Sequence, residues 1–70
     1  MKRQGVSSSN ICSIGYDPLS KTLEIEFNSG GIYQYFNVPQ AEYTALMSAS
    51  SHGSYFHAYI KEQYPWTKIR

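Results

Sequence analysis

Apolar and acidic residues alternate along Thr22–Phe27, which reads TLEIEF. Alternation with a period of two is typical of a strand that has one buried face and one solvated face. Polar and glycine residues interrupt the run at Asn28–Gly31, and a second run, rich in aromatic residues, follows at Ile32–Phe36. The pattern predicts a β-hairpin.

The register of this hairpin decides which side chains are buried. A two-residue loop would place Phe27 opposite Ile32, whereas a three-residue loop at Ser29–Gly31, with a left-handed glycine, places Phe27 opposite Tyr33. We favour the longer loop because it gathers the large apolar side chains on one face. The residues predicted on that buried face are Leu23, Ile25, Phe27, Tyr33 and Tyr35. Those predicted on the open face are Glu24, Glu26, Ile32, Gln34 and Phe36.

A third strand is predicted before the hairpin, at Ile11–Tyr16, because turn-forming residues follow it at Asp17–Ser20. A four-residue loop at Pro18–Lys21 then gives three cross-strand pairs on the buried face: Tyr16 with Leu23, Ile14 with Ile25, and Cys12 with Phe27. The result is a meander whose first and third strands are its edges. The polar, serine-rich segment Met1–Asn10 is predicted to be a partly mobile leader, anchored at most by Val6.

Two helices are predicted after the sheet. The first runs from Pro39 to about Ala49, and its apolar stripe is Tyr43, Leu46 and Met47. The second is capped by Ser51 or Ser54 and runs to about Tyr64, before Pro65. Its predicted inward residues are Phe56, Tyr59, Ile60 and Gln63. The remaining segment, Trp66–Arg70, is predicted to be extended, with Trp66 packed back onto the domain.

These elements predict a single α+β domain over residues 1–70: a three-stranded antiparallel meander followed by two short helices packed on one face of the sheet. A chain of 70 residues is near the lower size limit for folding without a metal or disulfide. Aromatic residues make up 16% of the chain, and each large ring that is buried removes about 150–250 Å² from water. The aromatic side chains are therefore expected to form much of the core.

The composition also limits the possible functions. Cys12 is the only cysteine, which excludes an internal disulfide and a cysteine-based zinc site. No secretory signal or apolar run of about 20 residues is present, so we expect a cytoplasmic protein with no membrane contact, metal or cofactor. Cys12 with His52 or His57 offers a nucleophile and a base, but no third orienting group or oxyanion loop is visible. We therefore expect no enzymatic activity.

Several stretches together resemble the KTSC domain, a short module found alone in bacterial and phage proteins and at the C-terminus of some lysyl-tRNA synthetases. The central Tyr-x-Tyr motif of that family is matched by Tyr33 and Tyr35, and the Val-Pro pair by Val38 and Pro39. The run Ser51–Phe56, which includes Gly53, also fits, and the resemblance extends from about Val6 to Ile69. We expect structural roles for the matched residues Tyr33, Tyr35, Val38, Pro39, Gly53 and Phe56. The resemblance implies RNA binding and brings no catalytic residues with it.

RNA binding needs cations for phosphates and, for single strands, exposed rings on which bases stack. The open face of the predicted sheet is a poor site because Glu24 and Glu26 would repel phosphate. The better candidate is a modest basic patch near the C-terminal end. Its predicted residues are Lys61, Lys68 and Arg70 beside Trp66, joined by Lys2 and Arg3, with His57 as a further member. The net charge of +1 gives no strong indication of the partner.

The alternative is a protein-binding module, an adaptor or an inhibitor. The third predicted strand is an aromatic-rich sheet edge, and edges of this kind add a partner's strand or self-associate. The residues expected to bind the partner are Ile32, Gln34 and Phe36. Tyr33 and Tyr35 also have two interpretations, as stacking rings for bases or as core residues, and the hairpin register favours the core.

Overall fold

Two short helices cover one face of a five-stranded antiparallel sheet. The computed structural model describes all residues from Met1 to Arg70. The strands are β1 (Arg3–Gly5), β2 (Ile11–Asp17), β3 (Thr22–Phe27), β4 (Ile32–Tyr35) and β5 (Trp66–Lys68). The helices are α1 (Gln40–Ser48) and α2 (His52–Tyr59). The strands lie in the sheet in chain order, and each neighbouring pair is antiparallel. The predicted α+β class is confirmed, but the prediction of three strands is wrong.

The hairpin of β3 and β4 has a three-residue loop, as predicted, but the loop begins one residue earlier. Phe27 and Gly31 close it through a backbone hydrogen bond of 2.9 Å, and Gly30 adopts the left-handed φ of 105° that glycine tolerates best. Ile25 therefore pairs with Tyr33, and Leu23 with Tyr35. This register differs by two residues from the predicted one, so each side chain stays on its predicted face.

The two edge strands were not predicted. β1 lies in the segment expected to be a mobile leader, and it pairs with β2, placing Arg3 opposite Gly15. β5 pairs with β4, placing Trp66 opposite Tyr35. The predicted edges of the sheet are therefore covered. Short, polar edge strands carry little periodicity, because three residues hold fewer than two repeats of the alternating pattern.

The predicted burial of Cys12 is also wrong. The pairing of β2 with β3 is irregular between Ile11 and Ser13, so that Ile11 lies opposite Phe27 and Ser13 opposite Glu26. This β-bulge inserts Cys12 as an extra residue. Ile11 takes the buried position, and the Cys12 thiol is exposed. The predicted pairs of Ile14 with Ile25 and of Tyr16 with Leu23, which lie beyond the bulge, are confirmed.

The core lies between the sheet and the two helices. Its nine buried residues are Ile11, Ile14, Leu23, Ile25, Tyr35, Val38, Leu46, Phe56 and Ile60. Tyr43 on α1 stacks on Tyr16 of β2, with ring centroids 4.8 Å apart and planes inclined by 9°. The predicted apolar stripe of α1 is confirmed, since Leu46 is buried and Tyr43 and Met47 pack against the core.

Helix α2 begins as predicted and ends early. The Ser51 side chain accepts a hydrogen bond from the Ser54 backbone N–H at 3.2 Å, which is the usual N-cap contact. At the other end, the amides of Ile60 and Lys61 both donate to the Phe56 carbonyl, so the regular helical ladder stops there. The prediction of a helix to about Tyr64 is therefore wrong. Phe56 and Ile60 face the core as expected, whereas Tyr59 and Gln63 are exposed.

Candidate functional site

A cleft of about 410 Å³ opens between the C-terminal end of α2 and the edge of the sheet formed by β4 and β5. Five aromatic side chains from three strands and one helix form its apolar surface: Phe27, Tyr33, Tyr35, Phe56 and Trp66. We call these five residues and the space between them the aromatic cleft. Both tyrosines of the Tyr-x-Tyr motif lie in it because alternate residues of β4 point to the same face of the sheet.

Contacts between the rings fix the shape of the cleft. Phe27 makes edge-to-face contacts with Tyr33 and Phe56, with ring centroids 5.5 and 5.4 Å apart. The Tyr33 ring lies 5.5 Å from the Trp66 ring at an angle of 56°. Distances in this range are favourable for aromatic pairs. The predicted packing of Trp66 onto the domain is confirmed, although its side chain remains 52% exposed and its ring is accessible from the cleft.

The two tyrosines of the motif differ in burial. Tyr35 is only 4% exposed, which confirms its predicted place in the core, whereas Tyr33 is half-buried beside Trp66. Burial, followed by the neighbouring Tyr33 and Glu62, raises the pKa of Tyr35 to about 12. The Tyr35 hydroxyl therefore remains protonated at neutral pH and is available as a hydrogen-bond donor.

Charged side chains stand at the rim of the cleft. Lys61, Glu62 and His57 come from the C-terminal end of α2 and the turn that follows it. On the opposite side, the Lys68 Nζ lies 5.9 Å from the centroid of the Tyr33 ring, within cation–π range. Neither lysine takes part in an ion pair, since all three ion pairs of the protein are formed by arginines.

The structure divides the predicted basic patch. Lys61 and Trp66 line the cleft, and Lys68 borders it. Arg70 instead approaches Glu26 on the other face of the sheet, at 3.9 Å. Lys2 lies by the edge strand β1, beside a groove that Tyr43 also lines. Strands β2, β3 and β4 separate β1 from β5, so Lys2 is at the opposite edge of the sheet from Trp66 and Lys68.

Arg3 is engaged in a polar network on the sheet face away from the helices. Its guanidinium forms an ion pair with Glu24 and donates to the Ser13 hydroxyl at 2.9 Å. Gln34 also donates to Glu24, at 2.8 Å. Burial pushes the pKa of Glu24 upward, but the hydrogen bonds from Gln34 and Arg3 outweigh it, and the pKa of Glu24 is lowered overall. Arg3 is thus already paired with a carboxylate.

The residues expected to bind a protein partner are less accessible than predicted. Ile32 is only 4% exposed, because the tail of the chain pairs with it: its amide donates to the Arg70 carbonyl at 2.9 Å. The expectation of an exposed Ile32 is therefore wrong. Gln34 is half-buried against Glu24, and the Phe36 amide donates to the Pro65 carbonyl at 2.9 Å. These backbone groups are not open for a partner's strand.

Three other motif residues, Val38, Pro39 and Gly53, occupy positions that the fold constrains. The Val38 side chain is buried, and its carbonyl accepts a hydrogen bond of 2.5 Å from the Tyr16 hydroxyl. Pro39 has an extended ψ of 150° and directly precedes α1. A Cβ at Gly53 would lie 2.2 Å from the Asn10 Oδ1, so glycine permits close approach at that position.

Four residues that line the cleft were missing from every predicted set of site residues: Asn10, Phe27, Ser29 and Glu62. Phe27 belongs to the buried face of the hairpin, and the sequence gives no sign that one edge of its ring reaches a cleft. Glu62 follows Lys61 directly, and the predicted second helix extended past it. A charged pair where a helix ends is the only signal that could have singled it out.

The residues considered as a catalytic nucleophile and base, Cys12, His52 and His57, are not hydrogen-bonded to one another. Cys12 lies beside Glu26, and desolvation by neighbouring atoms, followed by a hydrogen bond with Glu26, raises the pKa of its exposed thiol. His52 donates from Nδ1 to the Leu46 carbonyl at 2.9 Å, and His57 lines the cleft. No three His, Cys, Asp or Glu side chains are grouped closely enough to hold a metal. Neither helix has the length and apolar character that crossing a membrane requires.

The fold and the cleft define a small α+β domain with a Tyr-x-Tyr strand at its centre. The chain belongs to the KTSC domain family, which matches residues 7–64, and the resemblance drawn from the motifs is thereby confirmed. A crystal structure of a KTSC domain protein from Yersinia pestis superposes with a TM-score of 0.96 at 48% identity, over 99% of this chain and 97% of that one.

Relatives occur both as short proteins and within longer ones. An uncharacterized protein of Stutzerimonas stutzeri is 44% identical over 91% of this chain and 90% of its own length. A lysine–tRNA ligase of Nostoc sp. is 44% identical over 77% of this chain. The match covers only 10% of that ligase, so the similarity concerns one small part of the enzyme.

Proposed function

We propose that this protein is a small non-catalytic module that binds single-stranded RNA in the aromatic cleft. One base packs against Trp66 and Tyr33, and the flanking phosphates lie near Lys61 and Lys68. The observation that carries the proposal is the accessible Trp66 ring in a cleft that Lys61 lines and Lys68 borders, where neither lysine has an ion-pair partner.

The energetics of the cleft support this proposal. Stacking of a base on an aromatic side chain contributes about 1–3 kcal/mol, and the Trp66 ring can supply it without unfolding the core. A lysine that is not already paired can neutralise a phosphate and release a counterion. Lys61 and Lys68 lose no existing ion pair when they do so, whereas Arg3 would have to leave Glu24.

The distribution of acidic groups also favours the cleft. Glu24 and Glu26 are on the opposite sheet face, where arginines pair with them. Glu42 accepts hydrogen bonds from the Tyr55 and Tyr64 hydroxyls, and Asp17 accepts from groups of its own turn. Glu62 is thus the one carboxylate that lines the cleft, and repulsion of phosphate is limited there.

The relatives give independent support for an RNA ligand. Three lysine–tRNA ligases, enzymes whose name states that they act on tRNA, contain a segment 36–44% identical to this chain.

A cytoplasmic location belongs to the same proposal. It is supported by the free, exposed thiol of Cys12, since thiols persist in reducing compartments.

A titration with short single-stranded RNA tests the proposal. Trp66 is the only tryptophan, so its fluorescence reports on the cleft, and amide shifts in nitrogen-15 spectra locate the contact. We expect shifts along His57–Glu62 and Trp66–Lys68. We also expect the logarithm of the affinity to fall with the logarithm of salt concentration at a slope of about −1.4, or about −0.7 per neutralised phosphate.

Matched variants identify the cations. Lys61→Gln and Lys68→Gln should each weaken binding and reduce the steepness of the salt slope by about 0.7. The control is Lys21→Gln, in the turn between β2 and β3, which should change neither quantity. Equal effects of all three substitutions would locate the binding elsewhere. A spectrum unchanged by RNA, with concentration-dependent broadening along β5, would favour self-association instead.

A further inference from the structure

The Tyr35 hydroxyl is a polar group that the fold leaves without a partner. Three other tyrosine hydroxyls, those of Tyr16, Tyr55 and Tyr64, donate hydrogen bonds to oxygen atoms of the protein. Tyr35 is more than nine-tenths buried, yet its hydroxyl makes no hydrogen bond within the protein. No buried side-chain oxygen or nitrogen atom lacks a hydrogen-bond partner, so the Tyr35 hydroxyl, which has none within the protein, is open to solvent, and Tyr35 lines the aromatic cleft.

An unpartnered hydroxyl at the base of a cleft is a point where a ligand gains specificity. The Tyr35 ring is held by Phe56, with ring centroids 5.4 Å apart at an angle of 74°, so the position of its hydroxyl is fixed before a ligand arrives. A ligand that covers this hydroxyl without accepting its hydrogen bond displaces water and leaves the donor unpaired, which costs about 1–3 kcal/mol. A ligand atom that accepts the hydrogen bond avoids this cost.

Glu62 adds an acceptor to the same cleft. Its exposed carboxylate lines the cleft together with Tyr35, and its charge is one of the causes that raise the pKa of Tyr35. No ion pair or side-chain hydrogen bond occupies Glu62 within the protein. A carboxylate repels phosphate, so Glu62 suits a different part of a nucleotide: the N–H groups of a base, which two carboxylate oxygens accept side by side.

Because a fixed donor and a two-oxygen acceptor line the same cleft, we propose that the aromatic cleft recognises guanine. The Tyr35 hydroxyl donates to the guanine O6, and the Glu62 carboxylate accepts the neighbouring N1–H and N2–H groups, while Trp66 provides the stacking surface. This inference rests on the proposed binding of RNA and adds the identity of the base.

The other bases match the same groups less well. Guanine presents one acceptor followed by two donors along its Watson–Crick edge, the edge that proteins use on unstacked bases. Adenine and cytosine each offer a single amino group to the carboxylate, and uracil offers a single N–H between two carbonyls. Only guanine forms the bidentate, charge-assisted pair, which is roughly twice as strong per hydrogen bond as a neutral one.

The test uses short single-stranded oligoribonucleotides that share uridine flanks and differ in one central base, with Trp66 fluorescence as the readout. We expect guanosine at the centre to bind about tenfold tighter than adenosine, cytidine or uridine. Inosine lacks the N2 amino group and should bind between guanosine and the others. Guanosine with carbon in place of N7 keeps its Watson–Crick edge and should bind like guanosine.

Variants assign the preference to the two side chains. Glu62→Gln should abolish the difference between guanosine and inosine, and it should improve binding of uridine because a repulsive charge is lost. Tyr35→Phe removes only the hydroxyl and should reduce the preference for guanosine over adenosine. Lys61→Gln serves as the matched control: it should weaken all four oligonucleotides equally and leave the preference intact. Nitrogen-15 spectra establish that each variant is folded.

The outcomes separate this inference from the proposed function. Binding that is equally tight for all four central bases would overturn guanine recognition and leave RNA binding in the cleft standing. A preference for guanosine over inosine that survives Glu62→Gln would overturn it as well, since a different group would then accept the N2–H bond. Absence of binding to every oligonucleotide would overturn both.

Discussion

The Phe56 ring of α2 packs edge-on against the Tyr35 ring of β4, with centroids 5.4 Å apart. Phe56 also contacts Phe27 of β3 at 5.4 Å, so one side chain of α2 connects this helix to both strands of the central hairpin. All three of these rings also line the aromatic cleft. Stability and the shape of the cleft therefore depend on one side chain.

Replacing this side chain should cost most of the stability of the domain. Phe56→Ala removes a buried ring and leaves a cavity, which typically costs about 3–5 kcal/mol. That is as much as the whole net stability of about 3–5 kcal/mol expected for a core of this size. Urea unfolding of Phe56→Ala and of a control variant, each compared with the parent protein, measures the loss in the free energy of unfolding. The control is Leu19→Ala, at a side chain that is 96% exposed, where the change should stay within about 0.5 kcal/mol. A loss below about 1 kcal/mol for Phe56→Ala would contradict the packing described.

The ion pair of Arg3 with Glu24 should make the protein less stable in acid. The pKa of Glu24 is lowered in the folded state, so the unfolded chain binds its proton first, near its ordinary pKa of about 4.3. The contribution is therefore fully present above that pH and is lost as pH falls through the folded-state pKa.

The corresponding measurement is the free energy of unfolding as a function of pH. Glu24→Gln should cost about 1.5–3 kcal/mol at neutral pH, because the charged hydrogen bonds are lost, and the gap to the parent protein should narrow below pH about 4. Arg3→Met should have a similar effect, and the double variant should cost less than the sum of the two. Additive costs would show that the two side chains act independently.

The unpredicted strand β1 depends on Gly15. A Cβ at this position would lie 2.7 Å from the Lys2 backbone carbonyl oxygen, and a backbone atom cannot rotate away as a side chain can. Gly15→Ala should therefore displace β1 and cost about 1–3 kcal/mol, as overpacked positions do. Hydrogen exchange should show lost protection at Arg3–Gly5. Gly5→Ala is the matched control, since its Cβ would meet nothing nearer than 3.9 Å. Retained protection in Gly15→Ala would mean that β1 tolerates the shift.

The limits of prediction are visible in particular residues. The faces of β3 and β4 were predicted correctly although the register was two residues off, because a shift by two preserves the face of each side chain. Cys12 was misplaced, because a bulge moves one residue out of the alternation without leaving a local mark in the sequence. For the site, Lys61, Lys68 and Trp66 were predicted and do lie together. Arg70 and Arg3 were assigned to the same patch, yet both turn towards Glu26.

The family was recognisable from the resemblance of its motifs. By itself, the sequence also determined the α+β class, the central hairpin, the presence of two helices and the inward stripe of α1. These features follow from periodicity, turn residues and caps, which act over a few neighbouring positions. Only the tertiary structure decided that both ends of the chain complete the sheet, that Glu24 forms an ion pair with Arg3, and that Tyr35 and Glu62 line one cleft. Those relationships join residues far apart in the chain, and their free energy comes from packing and charge pairing that local patterns do not encode.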